Sequence, residues 1–167
     1  MGAGMRRFIV AAILTAAALV SCARQPAAAP GRRAPTFSAP DVREGRPSVA
    51  AADLESRPAV VNFFAAWCVP CRKELPLLVA AQRTVGRRVT FVGVDVKDSR
   101  SRGTDLLGEF KVPYPAAYDP QGQIAAAFRV QAMPTTFFLR PDGRIADQVL
   151  GELSAKRLAE GLARLGP

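Results

Sequence analysis

The chain has 167 residues, 49% of them hydrophobic, which is enough for one domain with a sizeable core and a further segment. Its formal charge of +9 could indicate a nucleic-acid-binding protein, but five arginines lie within the first 33 residues. Without them, 23 − 5 = 18 basic residues stand against 14 acidic ones, with no basic run and no basic stripe interleaved with aromatic residues. The composition therefore argues against nucleic acid as a partner and favours a mildly basic, solvated surface.

The N-terminus has the pattern of an export signal. A short basic stretch, Met1 to Arg7, precedes thirteen uncharged residues, Phe8 to Val20. This run is shorter than the roughly 20 residues that a membrane-spanning helix needs, and it has the length of a signal-peptide core. It ends in Leu19-Val20-Ser21-Cys22, which resembles the lipobox of bacterial lipoproteins. The resemblance implies that residues 1–22 are a lipoprotein signal peptide and that acylated Cys22 anchors the protein in a lipid membrane. The alternative is an ordinary secretory peptide or an uncleaved anchor with an incidental cysteine.

Residues 23–35 are predicted to form a disordered tether. They are mainly alanine, proline and arginine, and they offer too little large apolar surface to form a core. We therefore expect the folded domain to span residues 36–167.

The rest of the chain predicts alternating strands and helices. Its first long element, Pro58 to Trp67, is an almost continuous apolar run, which is typical of a strand buried on both faces. The order of elements predicts an α/β domain in which the first two long strands are parallel. After the first strand we predict a helix at Pro70–Gly86, a strand at Val89–Val96, helices at Thr104–Lys111 and Gln121–Arg129, strands at Thr135–Arg140 and Arg144–Leu150 around the turn Pro141-Asp142-Gly143, and a last helix at Ser154–Leu165 capped by Ser154.

Two cysteines follow the first long strand in the motif Trp67-Cys68-Val69-Pro70-Cys71. The spacing places Cys68 at the start of the predicted helix, where unpaired N–H groups and the helix dipole stabilise a thiolate. Pro70 suits the first helical turn, and Cys71 lies close enough to close a disulfide with Cys68. We interpret Cys68 as the attacking nucleophile and Cys71 as the resolving thiol of a redox-active disulfide that needs no other cofactor.

Other uses of a cysteine pair fit the composition less well. A zinc site needs four ligands, and the chain has no histidine and only three cysteines, so no metal site is expected. A copper chaperone of similar fold would also need a distal histidine. A purely structural disulfide that closes so short a loop would constrain the unfolded chain little.

The sequence resembles the TlpA/ResA-like branch of the thioredoxin superfamily, whose members are membrane-tethered extracytoplasmic thiol–disulfide oxidoreductases. The match runs from about residue 34 to residue 165 and rests on three motifs: Val61 to Glu74, Met133-Pro134-Thr135-Thr136-Phe137 and Pro141-Asp142-Gly143. It implies a thioredoxin fold, in which helices flank a central mixed β-sheet, with an N-terminal hairpin and a central insertion at about Ser99–Val130.

The same resemblance implies contacts with a client protein. Pro134 matches the cis-proline that faces the disulfide in this superfamily; the alternative is a trans turn proline before a strand. Trp67, Met133 and Thr135 are expected to bind the substrate protein. For Trp67, plain core packing is the alternative.

Glu74 matches a glutamate that in ResA-like proteins influences the pKa of the active-site cysteines and transfers protons. It lies one helical turn after Cys71 and can face the same side. The alternative is an exposed glutamate that complements the helix dipole. Asn62 stands where thioredoxin has a buried aspartate, so proton transfer here must use Glu74 or water.

The resemblance implies a thiol–disulfide oxidoreductase of the bacterial cell envelope, lipid-anchored on the extracytoplasmic face of a membrane and expected to be monomeric. A disulfide reductase of exported proteins such as apocytochrome c, in cytochrome c maturation, is favoured, with a membrane thiol–electron transporter as its reductant. One alternative is an oxidase that forms disulfides in exported proteins. Two others are a peroxiredoxin-type peroxidase and a redox-silent thioredoxin-like binding module.

Overall fold

The structure, a computed structural model, describes residues 31–166. The predicted signal peptide with Cys22 and the first part of the predicted tether, residues 23–30, lie outside the described residues. None of the helices between residues 31 and 166 has the length and apolarity needed to cross a membrane.

Residues 31–166 form seven strands and four α-helices, joined in part by two 3₁₀ turns. The strands are β1 (Ser38–Ala39), β2 (Val49–Ala50), β3 (Ala59–Phe64), β4 (Thr90–Val96), β5 (Ala116–Asp119), β6 (Thr135–Leu139) and β7 (Ile145–Leu150). The helices are α1 (Val69–Val85), α2 (Arg100–Glu109), α3 (Gln123–Ala127) and α4 (Ala155–Ala163). The 3₁₀ turns are Ala51–Leu54 and Gly86–Arg88.

The strands form an antiparallel β1–β2 hairpin and a five-stranded mixed sheet in the order β5-β4-β3-β6-β7. Strand β4 runs parallel to β3 and β5, whereas β6 runs antiparallel to β3 and β7. The predicted thioredoxin fold, the parallel pairing of the first two long strands and the N-terminal hairpin are therefore confirmed.

The core lies on both faces of the sheet. Side chains of α1, α2 and α4 pack on one face with Val60 and Phe64 of β3. Side chains of α3 pack on the other face with Val61 and Phe63. All six residues of β3 are buried, which explains why this strand reads as a continuous apolar run rather than an alternating one.

The segment 99–130, expected as the central insertion, supplies α2, β5 and α3. Helix α2 begins at Arg100, four residues before its predicted start, because the Ser99 hydroxyl caps it by accepting the N–H of Arg102 over 3.4 Å. The apolar pattern marked only the part of the helix that packs on the core. The residue pattern did not predict β5, a four-residue edge strand beside β4.

Residues 31–35 differ from the prediction of a disordered tether. The N–H of Gly31 donates to the carbonyl of Ile145 over 2.8 Å, and the N–H of Ala34 donates to the carbonyl of Gly143 over 2.8 Å. These residues therefore belong to the folded domain. The prediction was wrong for them because backbone pairing needs no apolar side chains, and because the partners lie more than a hundred positions away, such as Arg144, 113 residues after Gly31.

Candidate active site

Strand register brings the predicted site residues to one end of the sheet. Phe63, near the end of β3, lies opposite Thr135, the first residue of β6. Pro134, the residue directly before Thr135, is joined to Met133 by a cis peptide bond. Cys68 follows β3 by four residues and precedes α1 directly. The dithiol motif and Pro134 therefore occupy the same end of the sheet, as the resemblance implies.

Cys68 and Cys71 form a disulfide with a Cα–Cα distance of 5.2 Å. Cys68 is the N-cap residue of α1, and the N–H of Cys71 donates to its Sγ over 3.3 Å. When the pair is reduced, this donor and the positive end of a 17-residue helix both favour a thiolate on Cys68. Cys71 is 0% exposed and Cys68 is 5% exposed, so Cys68 is the more accessible residue of the pair. The geometry suits Cys68 as nucleophile and Cys71 as resolving thiol.

Three large apolar side chains are exposed at the disulfide end of the domain. Trp67 is 53% exposed and Val69 is 61% exposed, and the two flank Cys68 in the chain. Leu150, 51% exposed, ends β7 opposite Thr135 and so lies at the same end of the sheet. Among residues 31–166, these three are the exposed large hydrophobic side chains, and we call them the apolar rim. Exposed apolar side chains at the same end as a reactive sulfur indicate a surface that contacts another polypeptide.

A cavity of about 240 Å³ lies beside the apolar rim, and Trp67, Lys97 and Met133 are among its lining residues. The indole N–H of Trp67 donates to the carbonyl of Lys97 over 3.2 Å, which holds the ring at the cavity wall. Trp67 is therefore not a core residue. Two side chains that were expected to contact a client, Trp67 and Met133, line one pocket.

Thr135 differs from the expectation of client contact. Its side chain is fully buried, and its hydroxyl donates to the carbonyl of Ala132 over 2.7 Å. The reason is that Thr135 already belongs to β6, where the sheet directs its side chain into the core. The Thr135 side chain is therefore not available to a client protein.

Glu74 lies on the buried face of α1, with only 1% of its surface exposed. One carboxylate oxygen accepts from the Asn62 amide over 2.7 Å, and the other accepts from the N–H of Leu153 over 2.7 Å. Burial raises the pKa of Glu74 to about 7, although both hydrogen bonds favour the ionised form. Glu74 shares the buried face of α1 with Cys71. An exposed, dipole-complementing role is thus excluded, and a carboxyl that titrates near neutral pH lies one turn from the resolving thiol.

Asn62 holds the Glu74 carboxylate in place. Its Nδ2 also donates to the hydroxyl of Thr136 over 3.0 Å, and the two residues face each other across β3 and β6. Where thioredoxin has an aspartate, this chain therefore has a neutral amide that orients a glutamate from the neighbouring helix.

Sequence reasoning missed Asp98, which ties a neighbouring loop to the active-site segment. One carboxylate oxygen accepts the N–H of Ala66 over 2.5 Å. The other accepts the N–H of Ser99 over 2.8 Å and lies 3.2 Å from Nε of Arg102. Asp98 belongs to no motif, and Ala66 lies 32 residues away, so no local signal could have identified the contact.

A dithiol motif at the start of a buried-strand-to-helix connection, with a cis-proline at the same end of a mixed sheet, defines a thioredoxin-fold thiol–disulfide oxidoreductase. The chain belongs to the AhpC/TSA family of this superfamily, whose family model matches residues 30–148.

Known proteins support this class. Thiol-disulfide oxidoreductase ResA from Oceanobacillus iheyensis is 31% identical over 147 residues, covering 82% of this chain and 73% of the relative. Thiol:disulfide interchange protein DsbE from Pseudomonas fluorescens biotype C is 32% identical over 144 residues, covering 86% of this chain and 79% of the relative. The crystal structure of a thiol:disulfide interchange protein from Chlorobium tepidum TLS superposes with a TM-score of 0.72 at 28% identity, covering 84% of this chain and 100% of that one. The enzyme is therefore a thiol–disulfide oxidoreductase of the ResA/DsbE type.

Proposed function

We propose that the protein is a disulfide reductase of exported proteins, held on the extracytoplasmic face of a bacterial membrane by acylated Cys22. Its clients would be polypeptides with an unwanted disulfide, such as apocytochrome c with oxidised haem-site cysteines. The apolar rim around Cys68 carries the proposal, because exposed Trp67, Val69 and Leu150 suit a polypeptide client rather than a small thiol.

The reaction would proceed by two thiol–disulfide exchanges. The Cys68 thiolate attacks one sulfur of the client disulfide, forms a mixed disulfide and releases one client thiolate. Glu74, as a carboxylate, accepts the proton of the Cys71 thiol. The Cys71 thiolate then attacks Sγ of Cys68, which re-forms the Cys68–Cys71 disulfide and releases the second client thiolate. Two electrons pass from enzyme to client, and a membrane thiol–electron transporter restores the dithiol by the same exchange in reverse.

The buried Glu74 supports the second exchange. Cys71 is fully enclosed, so its proton needs an acceptor inside the protein before the sulfur can attack. A carboxyl with a pKa of about 7 matches this task near neutral pH.

The reduction potential of the Cys68–Cys71 pair tests the direction of the reaction. The purified protein would be equilibrated with graded glutathione buffers. A potential near or below about −270 mV, the thioredoxin value, supports the reductase. A potential near about −120 mV, the DsbA value, replaces it with the disulfide-forming oxidase. Turnover of hydrogen peroxide with Cys68 as the oxidised residue would favour the peroxidase instead.

Two variants test the remaining parts of the proposal. Cys68→Ser/Cys71→Ser should abolish the reduction of a disulfide-bonded client peptide; if this variant still restores function in a deletion strain, the chain acts as a binding module. Cys22→Ala should move the protein out of the membrane fraction. If it stays there, the lipid anchor at Cys22 is wrong.

A further inference from the structure

The end of the domain opposite the disulfide is rich in exposed arginines. The first residue of β3, Ala59, pairs with Thr90 of β4 on one side and with Leu139 of β6 on the other. The segments before β3 and β4 and the turn after β6 therefore meet at this end. We define the basic end by its exposed arginines: Arg33, Arg57, Arg87, Arg88, Arg140 and Arg144.

Contacts between these segments make the basic end one continuous surface. The guanidinium of Arg57 donates to the carbonyl of Arg87 over 3.4 Å. The N–H of Ser56, next to Arg57, donates to the carbonyl of Pro141 over 3.1 Å. Arg33 in turn forms a β-bridge with Arg144.

Most of this positive charge lacks an internal counter-charge. Asp142 pairs with Arg144 at 3.5 Å, and exposed Glu55 lines a depression together with Arg33 without forming an ion pair with it. No carboxylate of residues 31–166 lies within 4.0 Å of the guanidinium groups of the other five arginines of the basic end. Elsewhere on the surface the picture is mixed: Arg72 lies 2.7 Å from Glu109 and Arg102 lies 3.2 Å from Asp98. Arg46, Arg83 and Arg129 are exposed without an ion pair to residues 31–166, but none of the three belongs to the basic end. A cluster of unpaired like charges repels itself and attracts an anionic surface.

Two of the six arginines, Arg57 and Arg88, line an apolar depression. The depression has a volume of about 500 Å³, and its other lining residues include Pro58, Val85, Val89 and Leu162. Apolar surface framed by cations is the pattern of proteins that lie on anionic lipid, because the cations meet phosphate groups while the apolar part meets the interfacial region.

The chain also enters the domain at this end. The guanidinium of Arg144 donates to the carbonyl of Gly31 over 2.7 Å. Eight residues, 23–30, separate Cys22 from Gly31. A fully extended chain of this length spans about 30 Å. A lipid on Cys22 would therefore keep the basic end near the bilayer, with the disulfide at least a strand length, about 20 Å, farther out.

We propose that the basic end binds the anionic phospholipid surface of the membrane that holds the anchor, and thereby directs Cys68 away from the bilayer. The inference rests on the lipid anchor of the proposed function. Docking at one end would leave the apolar rim open to clients, whereas a freely tumbling domain would present either end to the membrane.

Hydrogen exchange on the full chain tests this orientation. The membrane-extracted protein would be reconstituted into vesicles of phosphatidylcholine, with or without phosphatidylglycerol. We expect amides of residues 86–89 and 142–144 to exchange at least about threefold more slowly on the anionic vesicles, and those of residues 66–69 to be unchanged. Salt at about 1 M, where the Debye length is about 3 Å, should remove the difference.

Matched variants distinguish binding through the basic end from a general effect of the protein's positive charge. Arg57→Gln/Arg87→Gln/Arg88→Gln should lose the protection on anionic vesicles. Lys73→Gln/Lys111→Gln/Lys156→Gln removes three exposed charges elsewhere and should keep it. Equal exchange on both vesicle types, or protection that survives the arginine changes, overturns the inference alone. A chain that floats with neither vesicle type contradicts the anchor of the proposed function, and this inference with it.

Discussion

Two acidic side chains are buried on the same face of the central sheet, in contrasting surroundings. Glu74 of α1 has a hydrogen-bond donor at each oxygen. Asp95 of β4 is 0% exposed and has a partner at neither oxygen. Burial raises the pKa of Glu74 to about 7; burial, with the nearby charge of Asp98, raises that of Asp95 to about 8 despite Arg102. The two pKa values are thus similar, although hydrogen bonds stabilise the carboxylate form at Glu74 and not at Asp95.

The two sites differ in how well they can accommodate an ionised carboxylate. When Glu74 ionises, two donors already point at the charge, so the fold can accommodate a carboxylate there. When Asp95 ionises, no donor is in place, and α2 passes so close at Gly103 that a Cβ there would lie 2.1 Å from the carboxyl oxygen. This contrast supports the proposed proton transfer by Glu74, and we expect Asp95 to affect mainly stability.

The largest loss of stability should come from removing Glu74, the acid with hydrogen-bond donors. Glu74→Ala leaves the N–H of Leu153 without its acceptor and opens a small cavity, so the free energy of unfolding should fall by about 3 kcal/mol. Asp95→Ala breaks no hydrogen bond and should cost less than half as much. Urea unfolding of both variants at one pH makes the comparison, and equal losses would refute it.

The next largest effect on stability should come from the close packing of α2 against Asp95. Gly103→Ala should lower the free energy of unfolding by about 2 kcal/mol, because the new methyl overlaps the Asp95 carboxyl or displaces α2. In the Asp95→Ala background the carboxyl is absent, so adding Gly103→Ala should lower the free energy of unfolding by much less. If the effects of the two substitutions on the free energy of unfolding simply add, the two residues are not in contact.

Catalysis should distinguish the two acids by pH dependence. Client reduction should become faster as the pH rises through about 7, because ionised Glu74 accepts the Cys71 proton. Glu74→Gln should lose this step and be about tenfold slower at high pH, whereas Asp95→Asn should keep it. Stopped-flow measurement of the decay of the mixed disulfide isolates the relevant exchange. A pH step that persists in Glu74→Gln would assign it to a thiol instead.

The smallest effect should be a difference in stability between Asp95→Asn and the wild type that grows as the pH rises. The folded-state pKa of Asp95 is raised, so its contribution is fully present below the ordinary value of 3.8 and is lost as the pH rises through about 8. Asp95→Asn removes this loss, so its stability relative to wild type should improve by at least about 1 kcal/mol between pH 5 and pH 8. Thermal or urea unfolding at several pH values would reveal it, and parallel curves would show that Asp95 does not titrate in this range.

Most of the fold and the centre of the site could be predicted because their signals are local. A buried strand is a run of apolar residues, and a helix N-terminus carries its own cap, so both are visible within a few positions. The spacing of Cys68 and Cys71 is likewise a property of one helical turn. Pro134 and Glu74 were identified through motifs and lie at the disulfide end of the sheet and on the buried face of α1.

The remaining features depend on partners that are distant in sequence. The contact of Asp98 with Ala66, the exposure of Leu150, the burial of Thr135 and the gathering of arginines at the basic end arise only when the sheet aligns its strands. By itself, the sequence determined the class of fold and the dithiol chemistry, because short-range periodicity and spacing encode them. The tertiary structure decided which acid has hydrogen-bond donors and which end of the molecule is apolar or charged, because these properties belong to surfaces built from separate segments.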